Sequence, residues 1–454
     1  MQVPAHIFRE YDVRGVVESD LLPATVTALG RALGTAFRRA GATRVGVARD
    51  VRPSGDAIRD QIVEGLRSTG CDVVDYGRAS TGVFYHAQAT GQEQAGVVIT
   101  GSHNPPEFNG FKLVLEGGSF FGEQIQELLR IIEDEDFETG EGSLSSREIL
   151  EAYVADVVSK VSIDRPVRFA YDSGNGAASL GASALFAALG QKPVALFDEP
   201  DGSFPNHHPD PTIPEFLTDL RDTVLEQGLE LGVAYDGDAD RIGVIDERGE
   251  ILWGDRLLIL YARDLIERMP GAKVIHDVKC SQTLTDAVNA AGGEAVVWKT
   301  GHSLIKKKMK ETGAPLAGEM SGHLFFGENW YGFDDALFAT ARLLAILARE
   351  SRPLSELLAD IPRLEATPEI RVDCSDATKF AVVDHVREHF RAIAPIVDID
   401  GVRVQFEHGW GLVRASNTQP ALVVRVEADT VERRDAYRAQ VEEAIAQARR
   451  VVEV

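Results

Sequence analysis

Leu231-Gly232-Val233-Ala234-Tyr235-Asp236-Gly237-Asp238-Ala239-Asp240-Arg241-Ile242-Gly243-Val244-Ile245 reads as an apolar strand, a loop of three aspartates and an arginine, and an apolar return strand. Short apolar runs on either side of a polar, glycine-bearing turn are the signature of a hairpin. Working outward, Arg168-Phe169-Ala170-Tyr171-Asp172 is an earlier strand, an alanine-rich helix ends at Gly190, and 193–197 is a second strand. The unit is therefore strand, helix, strand, strand, polar loop, hairpin strand.

The same order occurs twice more. Val45-Gly46-Val47-Ala48-Arg49-Asp50 starts the first copy. A helix follows from Gly55, with Ser54 as N-cap and Ile58, Ile62 and Leu66 on one face, and stops at Gly70. Val73-Val74 and Gly96-Val97-Val98-Ile99 come next, then the loop Thr100-Gly101-Ser102-His103-Asn104-Pro105 and an Asn109-Gly110 turn into a strand over 111–115. In the third copy, Lys273-Val274-Ile275-His276-Asp277 leads to a helix after Ser281 with Leu284 and Val288 on one face. Strands at 295–298 and 315–317 precede the loop Gly318-Glu319-Met320-Ser321-Gly322-His323.

Strands alternating with helices predict an α/β fold: three similar α/β domains, each with a mixed sheet because the hairpin strand returns antiparallel. Ligands bind beyond the carboxyl ends of strands in such sheets, so the three loops are expected to meet in one central cleft. The C-terminal part differs. Ile370-Arg371-Val372-Asp373, 401–406 and 421–426 read as strands and 432–452 as a closing helix, with the polar loop Arg414-Ala415-Ser416-Asn417-Thr418-Gln419-Pro420. The expected division is 1–147, 148–251 and 252–365 as α/β domains and 366–454 as a smaller α+β domain.

The 454 residues allow three or four domains. A composition of 44% hydrophobic and 26% charged residues is that of a soluble globular chain. The net charge of −24 argues against a nucleic-acid partner and demands that any anion site gather its arginines and lysines locally. Cys71, Cys280 and Cys374 are far apart with no CxxC pairing, so neither a disulfide framework nor a zinc site is indicated, and a cytoplasmic setting is expected. The opening MQVPAHIFREYDVRG has no apolar signal region, and no apolar run is long enough to span a bilayer, so no membrane partner is expected. A monomer is the expected state.

Each loop carries its own chemistry. Asp236, Asp238 and Asp240 repel one another unless a cation sits among them, and an all-oxygen set suits magnesium or calcium. Glu247 falls where the twelfth residue of an EF-hand loop would be, but Arg241 replaces the glycine such a loop needs and the flanks are strands. Ser102 is presented at a strand tip by Gly101 and Pro105-Pro106, and Lys112 stands ready to neutralise a phosphate on it. Glu319 and Ser321 can take sugar hydroxyls, and His323 can move a proton. Arg414 offers a planar fork for phosphate, with Ser416, Asn417 and Thr418 as neutral donors around it. Arg14, in Tyr11-Asp12-Val13-Arg14-Gly15, and His302, at a helix start, are weaker candidates, while Lys306-Lys307-Lys308 reads as a solvated helix face.

These four loops, in this order, resemble those of the α-D-phosphohexomutase superfamily, and within it the phosphomannomutase/phosphoglucomutase branch. The resemblance runs from Phe8-Arg9-Glu10-Tyr11-Asp12-Val13-Arg14-Gly15 to Pro420. It implies interconversion of hexose 1-phosphate and hexose 6-phosphate, of mannose or glucose, through a phosphoserine at Ser102 and a hexose 1,6-bisphosphate that also serves as activator. It implies Mg2+ held by Asp236, Asp238, Asp240 and a phosphoserine oxygen. Ser102, His103, Lys112, Arg241 and His302 then form the catalytic group. Tyr11, Arg14, Lys279, Glu319, Ser321, His323, Arg414, Ser416, Asn417 and Thr418 bind the sugar phosphate. Ala239 stands where the family often has glycine. Met320 separates the chain from phosphoglucosamine mutases, which usually have glutamine there and are the nearest alternative. A metal-dependent sugar phosphatase or a non-catalytic sugar-phosphate binder would share several of these residues.

Overall fold

The computed structural model describes residues 2–417 and 419–452, whose strands lie in four sheets. The first holds β1 (Val13–Val16), β2 (Arg44–Arg49), β3 (Asp72–Arg78), β4 (Ala95–Ile99), β5 (Phe108–Leu115), β6 (Gly118–Ser119) and β7 (Leu144–Ser146), in the order β1-β5-β4-β2-β3-β7 with β6 paired to β5. The second holds β8 (Phe169–Asp172), β9 (Val194–Leu196), β10 (Leu231–Tyr235), β11 (Ile242–Asp246) and β12 (Ile251–Leu252), in the order β12-β11-β10-β8-β9. The third is β14-β13-β15-β16, from β13 (Lys273–Asp277), β14 (Glu294–Trp298), β15 (Leu316–Gly318) and β16 (Leu324–Phe326). One order is thus used three times: β5-β4-β2-β3, β11-β10-β8-β9 and β16-β15-β13-β14. In each, the return strand is antiparallel and the other three are parallel. This is the mixed α/β repeat expected from the sequence.

β4 and β10 are buried along their whole length, which is why they read as continuous apolar runs instead of alternating ones. The helix Gly55–Ser68 turns Ile58, Ile62 and Leu66 inward. Ser281 caps Gln282–Ala290 by accepting from the Thr283 amide. The helix Ala336–Arg349 is apolar almost all round and lies in a core that also contains Val98, Phe169, Val233, Val274 and Leu316. Residues of the first three sheets share this core, so their loop-bearing strand ends are held in a fixed relation.

The fourth sheet holds β17 (Glu365–Ala366), β18 (Ile370–Asp373), β19 (Ile396–Val397), β20 (Val402–Phe406), β21 (Gly409–Ala415) and β22 (Ala421–Ala428). Its order is β17-β22-β21-β20-β19, with β18 also on β22, and the helices Lys379–Arg391 and Val431–Val452 complete its core. Arg403, buried and 3.9 Å from the centre of the Trp410 ring, donates to the Val278 and Cys280 carbonyls at 3.0 Å each, tying this sheet to the third.

Four local expectations change. Asn109-Gly110 is no turn: both lie inside β5, opposite Gly15 and Arg14 of β1, so the whole segment 100–107 forms the connection. Arg414 and Ala415 are the last residues of β21 and not part of a loop. Ser54 precedes its helix but does not cap it; its hydroxyl accepts from Asn109 Nδ2 at 2.8 Å. Lys306 leaves the solvated face to pair with buried Asp334 at 2.9 Å.

Candidate active site

The polar loops after β4, β10 and β15 occupy the same place in three equivalent sheets, and the end of β21 brings a fourth. They surround one cleft of about 1430 Å3. Tyr11, Arg14, Ser102, His103, Lys112, Arg241, Lys279, His302, Glu319, Ser321, His323, Arg414, Ser416 and Asn417 all line it. Asp236, Asp238 and Asp240 lie beneath it, fully buried. Thr418 falls outside the described residues.

Ser102 sits at the cleft floor with φ 48°, the left-handed region. Its hydroxyl donates to Asp236 Oδ2 at 2.9 Å and lies 3.1 Å from His103 Nδ1. Asp236 Oδ1 accepts the Asp240 and Arg241 amides at 3.0 and 3.1 Å, which folds the aspartate loop on itself. Ala239 takes φ 59° within that loop, the conformation that makes glycine the usual choice there. Lys112 reaches from β5 to Asp238 Oδ2 at 2.6 Å and to Asp240 Oδ2. Thr81 Oγ1 also donates to Asp238 Oδ2, at 2.6 Å. Burial and the other two aspartates push Asp236 well above the usual carboxylate range. Burial acts the same way on Asp240, but Lys112 and His323 outweigh it and hold that carboxyl well below.

His323 continues this network. Its Nε2 is 3.2 Å from Asp240 Oδ1 and its Nδ1 2.9 Å from Glu319 Oε2. Burial opposes the imidazolium, yet these carboxylates push its pKa up to about 9. His302, the first residue of the helix His302–Thr312, is 5.7 Å from His323 ring to ring. Burial and the Lys306 and Lys112 cations hold it well below the usual histidine value, so it is neutral. Glu319 Oε1 accepts the Gly301 amide at 2.6 Å. Gly301 has φ 127°, and a side chain there would meet the Tyr11 ring at 2.6 Å, so only glycine lets that ring lie over the turn. Tyr11 donates to the Thr300 carbonyl at 2.8 Å and accepts from Asn417 Nδ2. On the far wall, Arg414 Nε donates to Asp400 Oδ2 at 2.9 Å, and Lys279 pairs with Glu369 at 3.2 Å. Lys279 holds the Glu369 carboxyl down to about 2.

Four family models match consecutive segments: phosphoglucomutase/phosphomannomutase alpha/beta/alpha domain I over residues 5–139, domain II over 151–249, domain III over 253–364 and the C-terminal domain over 369–444. The phosphomannomutase/phosphoglucomutase of Pseudomonas putida is 47% identical over 429 residues, covering 94% of this chain and 93% of that protein. The chain belongs to the phosphoglucomutase/phosphomannomutase family. The Pseudomonas aeruginosa phosphomannomutase/phosphoglucomutase is 46% identical over 431 residues, 95% of this chain and 93% of that one. The crystal structure of a phosphoglucomutase/phosphomannomutase family protein from Burkholderia thailandensis is 43% identical, with a TM-score of 0.91 over 100% of this chain and 98% of that chain.

Family membership makes the acidic cluster worth testing as a metal site. One oxygen from each of Asp236, Asp238 and Asp240 lies within 4.8 Å of the others. Asp238 Oδ1 is buried with no hydrogen-bond partner. A buried, unpartnered carboxylate oxygen among two more carboxylates is a donor set for a hard cation. Among the described residues no helix is long and apolar enough to cross a membrane. The sequence reading missed Arg52, Thr81, His208 and Asp334, all of which touch this site's loops. Arg52 had a signal: it follows β2, the parallel neighbour of β4, and therefore emerges at the same end of the sheet as Ser102.

Proposed function

We propose that this phosphohexomutase interconverts the 1- and 6-phosphates of mannose and glucose through a phosphoserine at Ser102 and a hexose 1,6-bisphosphate. The observation that carries the reading is the Ser102 hydroxyl, bonded to Asp236 at 2.9 Å inside a buried aspartate cluster, on the floor of a cleft whose opposite wall presents Arg414. In the first half-reaction the Oγ–P bond of phosphoserine breaks as a P–O bond forms to the free sugar hydroxyl, whose proton passes to the neutral imidazole of His302. The bisphosphate turns end for end, and the second half-reaction returns its other phosphoryl group to Ser102. Arg414, Ser416, Asn417 and Thr418 hold the phosphate that is not reacting, with Lys279 beside them. Glu319 and Ser321 take the sugar hydroxyls, Arg14 and Tyr11 close the near wall, and Arg241 and Lys112 balance charge around Ser102.

Asp236, Asp238 and Asp240 would hold magnesium, which supplies charge neutralisation on the transferring phosphoryl group. Hexose 1,6-bisphosphate is the activator that restores a dephosphorylated Ser102. Domains at 1–147, 148–251, 252–365 and 366–454 each contribute one loop. The free thiols of Cys71, Cys280 and Cys374 suit a reducing cytoplasm, and the working unit is a monomer. The test is turnover of mannose, glucose and glucosamine 1-phosphates with magnesium and a trace of hexose 1,6-bisphosphate, while free phosphate is followed. Isomerisation of the first two without phosphate release supports the proposal. Phosphate release without isomerisation would point to a phosphatase, and turnover of glucosamine 1-phosphate alone to the alternative mutase.

A further inference from the structure

The Ser102 loop commits its carbonyls to side-chain donors from neighbouring segments. All five N–H groups of the Arg52 guanidinium are in use. Nη2 donates to the Ser102 and Asn104 carbonyls at 2.9 and 2.5 Å, Nη1 to those of Pro105 and Phe108 at 2.6 and 2.9 Å, and Nε to Asp50 Oδ2 at 3.2 Å. The intervening carbonyl, that of His103, meets His208 Nε2 from the second sheet's unit. Asp50 Oδ2 also accepts the Gly101 amide at 3.3 Å. The guanidinium is fully buried. A side chain on Gly101 would meet its central carbon at 2.4 Å, and Phe204 covers it with its ring centre 5.2 Å away.

We propose that Arg52, with His208 on the opposite flank, is the positioning residue that sets the Ser102 nucleophile, by gathering the loop carbonyls on the side away from the reacting phosphoryl group. This rests on the mutase reading above. Ser102 stands in the left-handed region, a conformation that a non-glycine residue keeps only when its surroundings over-determine it, and the guanidinium supplies that constraint. Its planar fork addresses four carbonyls at once. Lysine has three donors on one nitrogen and cannot. A released carbonyl is free to swing toward Ser102 Oγ, where it repels the phosphoryl dianion and displaces the oxygen from its line with the substrate.

The test uses R52K in the full chain, with kcat and KM for glucose 1-phosphate at saturating glucose 1,6-bisphosphate, the thermal midpoint, and amide hydrogen exchange. The expected result is a folded protein whose kcat falls about a hundredfold with KM within about threefold, and whose amides over 100–108 exchange at least about tenfold faster while β2 and β4 stay protected. R52K with kcat within about threefold of the parent, or with unchanged exchange over 100–108, overturns the proposal. If R52K does not accumulate folded, H208A decides, because His208 is half-buried at the loop's edge. A roughly tenfold loss of kcat at constant KM supports the proposal and an unaltered kcat overturns it. Hydrogen exchange reads the loop without turnover, so a parent chain that fails to isomerise hexose phosphates refutes the mutase reading and leaves Arg52 to be judged on exchange alone.

Discussion

Asp236, Asp238 and Asp240 are three carboxylates buried within five residues, and Lys112, Arg241 and His323 are the cations that make this bearable. Ser102 hangs on this cluster through a single hydrogen bond to Asp236. Ser102→Ala should therefore change stability by only about 1 kcal/mol, while turnover falls by at least about ten-thousandfold. A thermal melt beside a coupled mutase assay checks both. Arg414 contributes charge-assisted hydrogen bonds of about 1.5–3 kcal/mol to a bound phosphate. Arg414→Ala should lower kcat/KM about ten- to a hundredfold, mostly through KM, in steady-state kinetics with glucose 1-phosphate. These residues were legible because their types announce their chemistry. Arg52 was not, because four of its five partners are backbone carbonyls, which no residue identity encodes.

β13 shows how an element adds a pH dependence to the whole. His276, buried in that strand, donates from Nδ1 to the Asp277 carbonyl at 3.0 Å and accepts from Thr285 Oγ1 at 2.9 Å, so it is neutral. Burial, reinforced by the Arg403 cation, holds its pKa down to about 4. The unfolded chain takes up this proton at its ordinary value near 6.5, before the folded protein does. The contribution to stability is therefore complete above pH ~6.5 and is lost as pH falls toward 4, by about 3 kcal/mol in all. Urea titrations across that range should show a steeper fall for the parent than for His276→Gln. The helix Ala336–Arg349 depends on its cap: Asp335 accepts the Phe338 amide and the buried Tyr153 hydroxyl, each at 3.0 Å. Asp335→Ala should cost about 2–4 kcal/mol, read from the denaturant midpoint, because it removes a cap and strands a hydroxyl. At this scale apolar strands and helix faces were readable from their periodicity. β21 was not, since Gly409-Trp410-Gly411 punctuates like a turn, and Asn109-Gly110 misled for the same reason although β1 pairs across it. Lys306 sits in a basic run and gave no sign that Asp334 would draw it inward.

The molecule as a whole is three copies of one sheet plan and a fourth sheet of a different plan, brought together so that four strand ends share a cleft. The repeat made the first three legible, because equivalent loops on equivalent strands must emerge at equivalent places. The docking of the fourth was invisible, since it rests on Arg403 stacking on Trp410 and reaching carbonyls of the third unit. The aspartate cluster already has protein cations at its edge, so chelation should abolish turnover while the melting midpoint, followed by circular dichroism, moves by no more than a few degrees, and added magnesium should restore activity. The most direct test of the central claim is to load the enzyme with hexose 1,6-bisphosphate carrying labelled phosphate, map the label by peptide mass spectrometry, and chase with unlabelled glucose 1-phosphate. The account predicts one labelled site, Ser102, whose label moves to the sugar on the chase. Label on any other residue, or release of the Ser102 label as free phosphate, would contradict it.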